Sequence, residues 1–150
     1  MTEPGPSPKS EPQKIEISDP IVFPAGLPGF ESHRQFTLES RSELRPFLLL
    51  RSLDDSEIAL PLIDCRLLRV SARPELTDKA AQLLGAKNAT EVAPFFVLNM
   101  DAPGGSITAN TSAPILITIG KSRGFQVLLD NAELKVDEPL MNLVPSGTRA

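Results

Sequence analysis

The sequence contains no tryptophan and no tyrosine, and it has one cysteine and one histidine among its 150 residues. Cys65 therefore cannot form a disulfide within the chain, which agrees with a reducing compartment. His33 and Cys65 lie far apart in sequence, and no clustered spacing of such residues marks a zinc site. Neither residue has the sequence setting of a catalytic nucleophile. We expect no metal, no cofactor and no enzymatic activity, and we expect Cys65 to be a small buried apolar residue.

Long apolar runs are also missing. No run approaches the roughly 20 residues that a membrane-spanning helix needs. The beginning of the chain, residues 1–8, lacks both the basic and the apolar region of a signal peptide. These absences predict no membrane segment and a cytoplasmic location.

The chain has enough apolar residues for one folded domain. Hydrophobic residues make up 41% of it, which suffices for a single core at this length. Residues 1–13 contain four prolines and no apolar side chain except Met1, so they cannot bury enough surface to offset the entropy of ordering. We predict a disordered Pro-rich tail over residues 1–13, a folded domain over residues 14–141, and a frayed C-terminus over residues 142–150.

Short apolar runs separated by turn residues recur along the folded region, and this spacing is typical of an all-β protein. We predict a small antiparallel β-barrel or sandwich-like domain. One short helix is expected between Thr77, which is a favourable N-cap residue, and Gly85, which can end a helix. The predicted strands are Lys14–Ile17, Gln35–Leu38, Phe47–Leu53, Ile58–Ile63, Phe95–Met100, Ser106–Asn110, Pro114–Ile119, Phe125–Leu129 and Glu133–Val136.

The segment Phe23–Phe30 is a rigid and apolar turn between predicted strands. Two prolines fix the backbone and two glycines permit the positive φ that a doubled-back path needs; these four residues are Pro24, Gly26, Pro28 and Gly29. The turn would then present Leu27 and Phe30 at a fixed angle. Phe30 could equally pack in the core.

Acidic residues follow the predicted strand that ends at Leu53. Asp54 and Asp55, with Glu57, could resemble a metal or acid/base site, but adjacent carboxylates converge only in a turn. A turn is expected here, and aspartates in turns commonly bond nearby backbone N–H groups. A structural turn is the favoured interpretation, a protein contact is the second, and catalysis is the third.

Charge separates the candidate function classes. A net charge of −4 and a pI of about 5 offer no overall attraction to phosphate. The basic cluster Arg66, Arg69 and Arg73 is modest and typical of solvated surface. An acidic domain suits a protein partner, particularly a basic one, although ordinary solubilising charge explains the acidic residues equally well. A small RNA-binding or oligonucleotide-binding β-barrel is the alternative, and an enzyme comes third.

Three ordered blocks in this chain are similar to those of the flagellar assembly factor family FliW. Phe23–Glu31 matches the opening Phe-Pro-x-Gly-Leu-Pro-Gly-Phe-Glu motif throughout. Pro46–Asp55 resembles the block that ends in Leu-x-Ser-x-Asp-Asp, with Arg51 where relatives commonly carry glutamine. Asn110–Ile117, followed by Gly124 and Gln126, resembles the late block of the family. The resemblance covers about residues 14–140.

The resemblance implies a function that composition alone does not. FliW-like proteins bind the translational regulator CsrA, relieve its repression of flagellin synthesis allosterically, and bind flagellin before export. By this resemblance the chain is expected to be a monomeric, non-enzymatic regulator with protein partners and no direct nucleic-acid or membrane contact. The predicted partner-binding residues are Leu27, Phe30, Asp54 and Asp55.

Overall fold

The structure is a computed structural model, and it describes residues 14–69 and 76–145. The predicted tail over residues 1–13, Arg73 of the basic cluster and residues 146–150 lie outside the described residues. The strands, in chain order, are β1 (Ile15–Ile17), β2 (Ile21–Val22), β3 (Gln35–Arg41), β4 (Leu48–Ser52), β5 (Ala59–Asp64), β6 (Ala93–Asn99), β7 (Thr108–Thr118), β8 (Arg123–Gln126) and β9 (Glu138–Pro139), and the helix is α1 (Asp78–Leu84).

Seven of these strands close into a barrel. They are hydrogen-bonded in the order β3-β2-β8-β7-β6-β5-β4, and β4 pairs back onto β3. β1 extends the sheet beside one end of β3, and β9 pairs with β7. The pairings are antiparallel except between β2 and β8, which run parallel at Val22 and Arg123. The predicted all-β domain with one short helix is confirmed.

The main core fills the barrel, and the pleat of the strands places it there because alternate side chains point inward. Phe36 of β3, Leu50 of β4 and Leu62 of β5 are all fully buried in this cluster. The ring of Phe23, which follows β2, meets the ring of Phe36 edge-on with 5.3 Å between centroids. Burying one such aromatic side chain contributes about 1.5 to 3 kcal/mol. The segment after β2 is therefore anchored from inside the barrel.

Helix α1 begins and ends where the sequence predicts. The Thr77 hydroxyl accepts a hydrogen bond from the Ala80 N–H at 3.1 Å, which satisfies one of the free donors of the first turn. Gly85 follows the helix with a φ of 67°, the left-handed conformation that glycine adopts without strain. Ala80 and Leu84 are buried against Leu116 of β7. The helix covers one side of the barrel.

Several strand predictions differ from the structure. The predicted strands Ser106–Asn110 and Pro114–Ile119 are parts of the single strand β7, apart from Ser106, Ile107 and Ile119, which lie outside it, and the pairing of β7 with β6 shifts register between Phe95 and Val97. Pro114 lies within that irregular stretch, where its missing N–H does not interrupt a regular ladder. The predicted strand Phe125–Leu129 ends early, because β8 stops at Gln126.

Glu133–Val136 does not form a strand. The Asn131 side chain accepts a hydrogen bond from the Glu133 N–H at 2.9 Å, and the Asn131 carbonyl accepts one from the Leu134 N–H. Local turn chemistry at this asparagine therefore outweighs the strand propensity of the residues that follow.

The described part of the chain continues past residue 141. The Leu143 carbonyl accepts a hydrogen bond from the Arg69 N–H at 2.8 Å. Leu143 and Val144 pack against a second core cluster that contains Cys65, which is buried. These contacts hold the described C-terminal residues against the barrel.

Candidate protein-binding surface

The loop that follows β2 is built from three consecutive turns. The carbonyls of Phe23, Leu27 and Phe30 accept hydrogen bonds from the N–H groups three residues later, at 2.8, 2.8 and 2.9 Å. Gly26 and Gly29 have φ values of 70° and 86°, which are the positive angles that the sequence predicts for this loop. Such angles are strained for residues that carry a Cβ. The geometry of the loop is therefore fixed by its glycines.

Side chains brace the loop as well. The Arg34 guanidinium donates to the Pro24 carbonyl at 2.7 Å. The Glu31 carboxylate accepts a hydrogen bond from the Gly29 N–H at 3.1 Å. Pro28 is exposed at the tip of the loop. Hydrogen bonds within the loop and from Arg34 therefore define its path, in addition to its packing on the barrel.

The two predicted apolar anchors lie in different environments. Leu27 is 2% exposed and belongs to the main core, so in this conformation it does not form the exposed anchor that the sequence suggests. The reason is tertiary: the loop folds back over the barrel and places this side chain inside. Phe30 is half-buried, packs against the same core, and meets the His33 ring edge-on at 6.0 Å. Of the two, Phe30 reaches the surface.

The acidic residues after β4 form the predicted turn. The Ser52 hydroxyl accepts hydrogen bonds from the N–H groups of Asp54 and Asp55 at 3.0 and 3.1 Å. The Asp55 carboxylate accepts one from the Glu57 N–H at 3.0 Å. Asp54 and Asp55 are exposed, and Leu53 beside them is 51% exposed. The turn therefore presents an apolar side chain together with negative charge.

The loop and the acidic turn meet through one side-chain hydrogen bond. His33 Nδ1 lies 2.9 Å from the Ser52 hydroxyl oxygen. Beside it, the Leu53 N–H donates to the Gln35 carbonyl at 2.9 Å. The structure thus links Phe30 to the acidic turn through His33 and Ser52, the two residues that sequence reasoning missed. The available signal was the serine two residues before Asp54, a common arrangement for a side chain that caps a turn.

A buried carboxylate on β3 binds an arginine that is in turn bonded to the far side of the acidic turn. The Glu39 side chain is 4% exposed and pairs with the arginines at 41 and 51. Arg51 Nε lies 3.0 Å from the Glu39 carboxylate, and Arg51 Nη1 donates to the Ser56 carbonyl at 2.7 Å. The hydrogen bond from Arg51 lowers the pKa of Glu39 below its ordinary 4.5, against the raising effect of burial, and the hydrogen bond from Arg41 lowers it further. Arg51 therefore links the sheet to the acidic turn.

Cys65 and His33, which a thiol nucleophile with a histidine base would require, lie in different parts of the fold. Cys65 lies in the second core cluster, whereas His33 lies on the loop against Ser52. Among residues 14–69 and 76–145, no three metal-ligating side chains of histidine, cysteine, aspartate or glutamate gather into a possible metal site. Over the same residues, no helix is long and apolar enough to cross a membrane. The arrangement at the loop and turn offers contact surface and charge.

The fold and the surface define a small closed β-barrel domain with a rigid loop and an acidic turn side by side. The FliW protein family model matches residues 7–140. A flagellar assembly factor FliW of Thermotoga neapolitana is 38% identical over 124 residues, covering 80% of this chain and 83% of the relative. One of Clostridium botulinum is 32% identical over 128 residues, covering 85% and 91%. A crystal structure of the flagellar assembly factor FliW superimposes with a TM-score of 0.73 at 30% identity, covering 87% of this chain and 89% of that one. The chain belongs to the FliW family of flagellar assembly factors.

Proposed function

We propose that this chain acts in the cytoplasm as a monomeric regulator of flagellin synthesis. It binds the translational repressor CsrA, relieves repression allosterically, and also binds flagellin. Membership of the flagellar assembly factors supports this proposal, and so does an architecture that offers a contact surface. The binding is mutually exclusive: flagellin occupies the protein while it accumulates, and its export frees the protein to capture the repressor. No covalent step is needed.

The link between the loop and the acidic turn through His33 and Ser52 is the observation that supports this proposal. Phe30 supplies an aromatic face, Leu53 an exposed apolar side chain, and Asp54 and Asp55 the negative charge. Interfaces commonly combine an apolar centre with a charged rim. The negative rim favours a basic partner, because complementary charge raises the association rate and disfavours wrong partners.

Charge reversal at the turn tests the proposed contact. We expect Asp54→Lys with Asp55→Lys to weaken binding of the CsrA regulator by tenfold or more, which is about 1.4 kcal/mol or more, because attraction to a basic partner becomes repulsion. Asp130→Lys with Asp137→Lys is the matched control, since both residues are exposed and the net charge changes equally. Binding is measured by calorimetry. An equal effect of both double variants would show that only net charge matters and would contradict a contact at the turn.

The aromatic part of the surface has a separate test. Phe30→Ala should abolish partner binding while lowering the melting temperature by no more than a few degrees, because the Phe30 side chain is only half-buried. Thermal melting accompanies the titration. A large drop in melting temperature would show that Phe30 serves the core, and unchanged affinity would remove it from the interface.

The RNA-binding alternative depends on the basic cluster of Arg66, Arg69 and Arg73. The Arg66 guanidinium is bonded to the Asp64 carboxylate at 2.7 Å, which reduces its positive field. RNA binding would weaken steeply with salt and would require Arg66, Arg69 or Arg73, whereas regulator binding would require the acidic turn. Titration with single-stranded RNA at two salt concentrations separates the two.

A further inference from the structure

The hydroxyl of Ser52 is the most heavily used side-chain group between the loop and the turn. Ser52 is 1% exposed. Its oxygen lies 3.0 Å from the Asp54 nitrogen, 3.1 Å from the Asp55 nitrogen and 2.9 Å from His33 Nδ1. Three polar atoms therefore converge on one buried oxygen.

The hydrogen-bonding capacity of a hydroxyl determines where the protons lie. A serine hydroxyl donates one proton and accepts two. Both backbone nitrogens are donors, so they fill the two acceptor positions of Ser52. The single hydroxyl proton must then point to His33 Nδ1, which has to be unprotonated to accept it. By this bonding count we assign a neutral His33 that accepts at Nδ1 and carries its proton on Nε2, since this tautomer satisfies all three contacts.

We propose that His33 is a positioning residue that holds the acidic turn against the loop only while its imidazole is neutral. Protonation at Nδ1 would place a third donor against Ser52 and leave the hydroxyl proton without an acceptor. The junction between loop and turn would then open.

The opening is expected to be local. The far side of the turn stays bound through Arg51 Nη1 and the Ser56 carbonyl, and the Leu53 N–H still donates to Gln35. The barrel ladder does not depend on His33. The charged residues on the segments that meet at His33 are Glu31 and Arg34 on the loop and Arg51, Asp54, Asp55 and Glu57 on β4 and its turn.

The consequence for binding rests on the proposed function: the partner would bind a surface that is assembled while His33 is neutral and loosened once its imidazole is protonated. We expect about fivefold weaker binding near pH 5.5 than near pH 8, the effect expected from losing one ordered hydrogen bond. His33→Asn is the matched variant, because its Oδ1 can accept from Ser52 at nearly the same place and does not titrate. Its affinity should change less than twofold over the same range.

The test of the positioning role itself needs no partner. Because the chain has one histidine, the imidazole nitrogen resonances of the full-length protein can be assigned without ambiguity by NMR. At about pH 8 we expect a neutral ring with the proton on Nε2 and an accepting Nδ1. On acidification the amide resonances of Asp54 and Asp55 should shift with the same midpoint as His33, and in His33→Asn they should not shift over that range.

The outcomes separate the two proposals. A proton on Nδ1 at high pH would overturn the positioning role whatever the protein binds. So would amide resonances of Asp54 and Asp55 that do not shift when His33 is protonated. The expected NMR result without any binding of CsrA or flagellin would leave the positioning role standing and overturn the proposed function. Equal pH dependence of binding in wild type and His33→Asn would also contradict the proposal.

Discussion

A single methyl group at Gly124 should test how the loop after β2 is seated on the barrel. Gly124 is buried on β8, where it pairs with Ile117. A Cβ at this position would lie 2.3, 2.5 and 2.8 Å from three carbon atoms of the Phe23 ring. Carbon atoms in ordinary contact are about 3.5 to 4.0 Å apart. The ring of Phe23 therefore occupies the space that any other residue would fill.

The Phe23 ring has little room to move away. Phe23 is 0% exposed, its ring packs against Phe36, and its N–H donates to the Arg34 carbonyl at 2.8 Å. Overpacking a filled core costs about 1 to 3 kcal/mol, and we expect the upper end because three atoms clash at once. At about 3 °C per kcal/mol for a chain of this size, Gly124→Ala should lower the melting temperature by about 10 °C.

The assay is thermal melting with matched variants. Gly120→Ala is the control, since a Cβ there meets nothing within 4 Å, and its effect should stay within about 0.5 kcal/mol. Phe23→Leu removes the ring atoms that clash, so combining it with Gly124→Ala should cost at least 1 kcal/mol less than the sum of the two single variants. If Gly124→Ala melts like Gly120→Ala, or the two costs simply add, Phe23 does not pack on Gly124.

Three further predictions concern stability. Glu39→Gln should destabilise the protein by about 1 to 3 kcal/mol at neutral pH. Because the pKa of Glu39 is lowered in the folded protein, its stabilisation is present above about pH 4.5 and is lost as the pH falls through the lowered pKa. Denaturant titrations of the wild type and the variant should therefore give the same stability in acid. Gly26→Ala should lower the free energy of unfolding by about 3 kcal/mol, and Gly29→Ala by only about 1 kcal/mol. Both glycines have a positive φ, but only at Gly26 would an added Cβ also meet backbone atoms, at 3.0 Å. Equal melting temperatures of the two variants would contradict this close approach. Thr77→Ala should cost about 1 kcal/mol by removing the cap of α1, and a thermal melt that leaves stability unchanged would show that the cap contributes nothing.

Features fixed by local chemistry were predictable from the sequence. Thr77 and Gly85 bound a helix because capping and positive φ act within a few residues. The glycines and prolines after β2 define the loop for the same reason, and the aspartates after Leu53 define a turn. The all-β fold follows from the short apolar runs that recur between turn residues.

Features that depend on distant contacts were not predictable. β2 pairs in parallel with β8, and β4 closes the barrel onto β3. The sequence of each strand does not indicate which strand it will pair with. The burial of Leu27 depends on how the loop folds over the barrel. The bond from His33 to Ser52 spans 19 positions, so neither residue alone indicates it. In each case tertiary contacts select one of several conformations that the local sequence allows.

Competition calorimetry is the decisive test of the proposed exchange of two partners on this protein. The purified chain is titrated with the CsrA regulator and with flagellin from the same organism, each alone and then in the presence of the other. We predict saturable binding to both, displacement of one by the other, and at least tenfold weaker regulator binding on reversing Asp54 and Asp55. Binding to neither partner, or simultaneous binding of both, would contradict the proposed exchange.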